Sequence, residues 1–136
     1  MRTTLLRSAR FARDASGAAA VEFAIISVVF ILMIFGIIYM GIILHTNATL
    51  QWAVENSVRS AVIAENTTQT QMTTKVNGFL TSVNMPSADS VSYSVAGTTP
   101  PIATLTANLS RSYTIPMLGT YTMNYTATAK MPQSGS

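Results

Sequence analysis

The stretch Gly17-Ala18-Ala19-Ala20-Val21-Glu22-Phe23 opens the longest apolar run of the chain and decides how the rest is read. From Phe23 to Leu44 there are 22 residues without a charge, broken only by Ser27, Gly36, Tyr39 and Gly41. A helix rises about 1.5 Å per residue, so this run spans roughly 33 Å, enough to cross a hydrocarbon core of about 30 Å. Glu22 stands at the mouth of the run. An ionisable side chain at membrane depth is costly, which makes it a functional candidate by default.

The charge upstream of that stretch orients it. Charged residues make up 10% of the chain and the formal net charge is +3. Arg2, Arg7, Arg10 and Arg13 against Asp14 place that excess in the first 17 residues. Downstream, Arg59, Lys75, Arg111 and Lys130 balance Glu22, Glu55, Glu65 and Asp89. The basic pI of about 9.6 is therefore a property of a leader, and no basic patch interleaved with aromatics argues for nucleic acid. Four arginines before the run predict a cytoplasmic N-terminus and a C-terminal domain across the membrane. A secretory signal has a shorter apolar stretch followed by small residues. Here the small residues Ser16 to Ala20 come first, so cleavage among them leaves the apolar helix on the mature chain.

Beyond Leu44 the periodicity changes. Leu50, Ala53, Val54, Ser57, Val58, Ala61 and Val62 share one helical face. No proline or glycine lies between Ile42 and Glu65, which predicts one continuous helix over residues 18–65, membrane-spanning over 18–44 and amphipathic over 45–65. Thr67 or Thr68 is placed to cap a second helix, with Met72, Val76, Phe79, Leu80 and Val83 on one face and a stop before Pro86. From Ser90 the period falls to two. Val91, Tyr93 and Val95, then Ala103 to Ile115, then Tyr121 to Ala129 alternate with polar residues, separated by Gly97–Pro101 and Pro116–Gly119. Arg111 is the one misfit on the apolar side. These patterns predict an α+β fold in which a long N-terminal helix and a short second helix cover a three-stranded antiparallel sheet. Residues 66–132 form the small domain and residues 133–136 a loose tail.

Gly17 with Glu22 five positions on and Phe23 after it resembles the prepilin-peptidase signature of type IV pilins. The longer string from Gly17 to Ala24, leading to Phe35-Gly36, resembles the TadE-like minor pseudopilins of tight-adherence (Flp/Tad) pilus systems, and the ending Tyr125 to Pro132 is similar to their final strand. The resemblance implies a type IV pilin-like subunit cut between Gly17 and Ala18 by a membrane-embedded prepilin peptidase. It implies that Glu22 pairs with the N-terminal amine of a neighbouring subunit. It also implies as partners a sister pseudopilin, the major pilin subunits, the inner-membrane assembly platform and the lipid bilayer. The chain is too short for the additional domain of larger relatives, and the TadE type and its sister TadF type share the features it has.

The remaining candidates are few. Trp52 lies off the apolar stripe and is read as an interfacial anchor or a subunit contact. Ser27 is expected to return its hydroxyl to a backbone carbonyl. His45 is the only histidine and there is no cysteine, so no histidine cluster, thiolate site or disulfide is available. No nucleophile elbow, paired carboxylates or phosphate-cradling loop is present, and neither an enzymatic activity, a metal nor a cofactor is expected. The expected function is that of a processed pilin-like subunit of a thin adhesive pilus, resident in a bacterial inner membrane. The alternative is a bitopic protein with an uncut N-terminus and an extracytoplasmic ligand- or partner-binding domain.

Overall fold

Between Ala15 and Ile63 there is no proline, and the side chains are mostly those that a helix accepts, which gives the 49-residue helix α1 (Ala15–Ile63). The structure, a computed structural model, describes residues 15–64, 67–97, 100–116 and 118–133. Expectations that concern Arg2, Arg7, Arg10, Arg13 and Asp14 of the leader, Glu65, and residues 134–136 of the tail lie outside the described residues. The chain divides into two units after Met40.

Up to Met40, α1 exposes apolar side chains on all sides, Phe23 at 73% and Phe30 at 58% among them. The Ser27 hydroxyl donates to the Ala24 carbonyl at 2.9 Å, as expected, so this hydroxyl is satisfied within its own helix. Exposed apolar surface of this extent is the mark of a membrane or protein contact. By length and composition α1 is long and apolar enough to cross a membrane.

From Gly41 onward the helix buries one stripe: Thr46, Leu50, Ala53, Val54, Ser57, Val58 and Ala61. Thr46 continues the stripe one turn before Leu50. Ser57 returns its hydroxyl to the Ala53 carbonyl at 2.8 Å, which makes a buried hydroxyl tolerable. Helix α2 (Gln69–Ser82) opens on a capping box, in which the Thr68 side chain accepts from the Gln71 N–H and the Gln71 side chain accepts from the Thr68 N–H. It buries Met72, Val76 and Leu80 and stops at Val83, followed by Asn84 at φ 59° and then Pro86. Asparagine is the residue apart from glycine that most readily takes that left-handed conformation. Lys75 Nζ donates to Ser60 Oγ at 2.9 Å and Phe79 packs edge-on against Trp52, so α2 runs back antiparallel to the second half of α1.

Strands β1 (Ser90–Ala96), β2 (Ile102–Ile115) and β3 (Gly119–Pro132) form an antiparallel sheet in the order β1-β2-β3. The expected α+β architecture is the one observed. Gly97 and Gly119 turn the chain at φ 96° and 97°, where a side chain would be strained. Ala103, Leu105, Ala107 and Leu109 of β2 and Tyr125, Ala127 and Ala129 of β3 are buried. The opposite face is polar and laced by side chains across the pairing: Thr106 with Thr128 at 3.0 Å, Ser112 with Thr122 at 2.9 Å, Thr114 with Thr120 at 2.9 Å. Gln69 at the start of α2 ties the helix to β1, its amide nitrogen donating to the Val91 carbonyl and its oxygen accepting from the Tyr93 N–H.

Pairing between β1 and β2 stops at Ser90, the first residue of β1, opposite Asn108. Beyond Leu109, β2 pairs with β3 and its other edge is not covered by β1. Arg111 therefore sits at a sheet edge, half-buried, with its guanidinium 3.4 Å from Thr46 Oγ1 and 5.9 Å from the centre of the Tyr113 ring. Its charge rests on a hydroxyl and an aromatic face.

Candidate functional site

The residues singled out at the N-terminus lie in sequence on one helical stretch. Gly17, Ala18, Glu22 and Phe23 all belong to α1 and all are exposed. The small side chains of Ala18 to Ala20 suit an extended peptide in a protease cleft, yet in this structure they are helical. The reason is local: alanine is the best helix former, and the run behind it is already committed to helix. Gly17 lies in the first turn, where backbone N–H groups have no partner four residues back, so unwinding it breaks few hydrogen bonds. A Cβ placed on Gly17 would meet nothing within 4 Å, so the glycine is not required by packing. Ala18 and Glu22 are one helical turn apart, separated along the axis by about 6 Å.

Trp52 belongs to the second unit. Its ring meets Phe79 edge-to-face at 5.3 Å between centroids and remains 49% exposed. Such a pair contributes about 0.5–1.5 kcal/mol beyond the area it buries. The ring is thus partly an internal packing residue and partly open surface.

A hydroxyl cluster escapes a reading of the sequence. Thr46 Oγ1 donates to the Ile42 carbonyl at 2.8 Å and lies 3.4 Å from the Tyr113 hydroxyl, which in turn is 2.8 Å from the Tyr125 hydroxyl. Burial, then the hydrogen bond and charge of Tyr113, push the Tyr125 phenol up to about 12, against a smaller opposing pull from Arg111. The available signal was that both tyrosines fall on the apolar side of their strands, where a polar tip needs a partner. Asp89 forms a second polar lock, its carboxylate accepting from both the backbone N–H and the hydroxyl of Ser110. Those two bonds, the hydroxyl's first, hold its pKa below the ordinary carboxylate value.

The described residues hold no group of three or more His, Asp or Glu placed to bind a metal ion. Two shallow depressions beside α2, lined by residues such as Thr70, Thr74, Lys75 and Phe79, are open and collect no convergent acid–base pair.

Neither a curated protein nor a solved structure matches the chain. The helix that is long and apolar enough to cross a membrane overlaps the segment that a family model matches. Residues 17–59, which include Gly17, Glu22, Phe23 and Trp52, match the family model described as TadE-like protein.

Proposed function

We propose that the chain is a minor pilin-like subunit, cut by a prepilin peptidase between Gly17 and Ala18 and used to build or prime a thin adhesive tight-adherence pilus. The observation that carries this reading is the family match beginning at Gly17 and covering the apolar helix with Glu22 at its mouth. In this reading residues 1–17 are a leader, residues 18–44 cross the bacterial inner membrane with the N-terminus cytoplasmic, and residues 66–132 lie on the periplasmic side. The role is structural and requires no cofactor. Its partners are the peptidase, the sister pseudopilin, the major pilin, the assembly platform and the bilayer.

Glu22 supplies the register. Cleavage creates an ammonium at Ala18, one turn from Glu22 on the same helix. Two parallel helices staggered by about 6 Å bring the amine of one level with the carboxylate of the next. Either charge alone in lipid is expensive, and the pair relieves both, so the stagger is selected even where the net energy of the pair is small. Exposed apolar side chains on every side of the helix let it exchange lipid neighbours for helical ones.

The test is Glu22→Ala and Glu22→Gln in the native host. Both variants are expected to insert in the membrane and to lose surface pili and adhesion, because the register pair is gone. Unchanged piliation and adhesion in both would remove the assembly role assigned to Glu22.

A further inference from the structure

We propose that the end of the β2–β3 hairpin is a second membrane contact, inserting Leu118, Tyr121 and Met123 into the headgroup boundary. This rests on the reading of α1 as a transmembrane helix. The ribbon is built for such a place. Beyond Leu109, β2 and β3 continue as a two-stranded hairpin past the end of β1. The core-facing alternation of β3 continues with it, yet Tyr121 is 52% and Met123 39% exposed, and Leu118 in the turn is 56% exposed. Tyrosine with an apolar ring and a polar tip is a residue of membrane interfaces. The Tyr121 hydroxyl donates to the Leu118 carbonyl at 3.0 Å.

The direction of the hairpin sets its depth. At one end Gln69, next to the α2 N-cap, holds Tyr93, which pairs with Leu105. At the other end Tyr113 reaches Thr46 of α1. Since α2 lies antiparallel to α1 through Lys75–Ser60 and Phe79–Trp52, β2 descends α1 toward the end of the apolar run. Thr46 is two residues past Leu44, where that run stops. Two further strand residues, from Tyr113 to Ile115, add about 7 Å. The same distance corresponds to between four and five helical residues, so the turn comes level with about Ile42. A bilayer crossed by residues up to Leu44 therefore has its surface at the turn. Charge agrees: from Leu109 to Tyr125 there is no acidic residue and one arginine, Arg111, which suits an anionic headgroup layer.

The chain lacks cysteine, so single-cysteine variants report from one position each. Leu118→Cys, Tyr121→Cys, Ser94→Cys and Ile31→Cys of the full chain are labelled with an environment-sensitive fluorophore. They are then reconstituted into phosphatidylcholine–phosphatidylglycerol vesicles carrying shallow or deep bromine quenchers. All four positions are exposed, so the substitutions spare the core, and matching far-ultraviolet circular dichroism verifies it. Expected are deep quenching at Ile31, shallow quenching at Leu118 and Tyr121 severalfold above that at Ser94, and no dependence on protein density. Quenching at Ile31 with Leu118 and Tyr121 as dry of lipid contact as Ser94 would overturn the inference and leave the anchor standing. No quenching at Ile31 would remove the anchor and the inference together. Blue-shifted emission at Leu118 that vanishes as protein is diluted in lipid would assign the patch to a second copy of the chain and overturn the lipid assignment.

Discussion

Tyr125 is a side chain whose acidity the fold alters strongly. Its phenol is raised from 10.0 to about 12, chiefly by burial and then by Tyr113. A raised pKa means that the folded protein holds the proton more tightly than the unfolded chain does. The associated stability is fully present below pH 10 and is lost as pH rises from about 10 to about 12. Tyr125→Phe is expected to cost about 1 kcal/mol at pH 7 and to flatten the loss of melting temperature across that window. Thermal melts of the detergent-solubilised chain at several alkaline pH values check both. Asp89 behaves in the opposite sense. Its lowered pKa contributes stability present above the ordinary carboxylate value of 3.8 and lost as pH falls through the folded value beneath it. The gap in unfolding midpoint between the parent and Asp89→Ala should therefore close below that pH, and a gap that stays constant to pH 2 contradicts the bond to Ser110.

The elements are held by packing that periodicity announces and by contacts that it does not. Leu50 is fully buried on the α1 stripe, and Leu50→Ala is expected to cost about 2–5 kcal/mol, read from chemical denaturation. Thr68→Ala removes the α2 cap and should cost about 1 kcal/mol. The same change at the neighbouring Thr67, whose hydroxyl turns back to the Ala64 carbonyl, should cost less. Both helical stripes and all three strands were legible because most apolar positions at spacings of 3.6 and 2 are the buried ones; Val83, at the end of the α2 stripe, is 43% exposed. Which threonine capped α2 was not legible, since both are good caps and only the backbone decides. Thr46 was passed over because a hydroxyl on an apolar stripe looks like its end rather than its continuation. Tyr121 and Met123 kept the core alternation yet are left uncovered, because alternation records which side a residue faces and not what lies opposite. Arg111, the one misfit on the apolar side, is accounted for by the length of β1, which stops short of it and leaves that edge of β2 open.

At the scale of the whole molecule, one unit exposes an apolar helix that water does not favour, and the other builds its own core with no disulfide to help it. The arginines, Gly17, Glu22 and the apolar run follow one another in the order that the proposed processing and assembly use. That order, and the family match from Gly17 to Arg59, were legible because they are linear; a partner's surface is not linear and was not. The most direct test is the intact mass and N-terminal sequence of the protein recovered from its host, with the prepilin peptidase present and absent. The predicted result is a chain beginning at Ala18 only when the peptidase is present. A chain that retains residues 1–17 under both conditions would contradict the account.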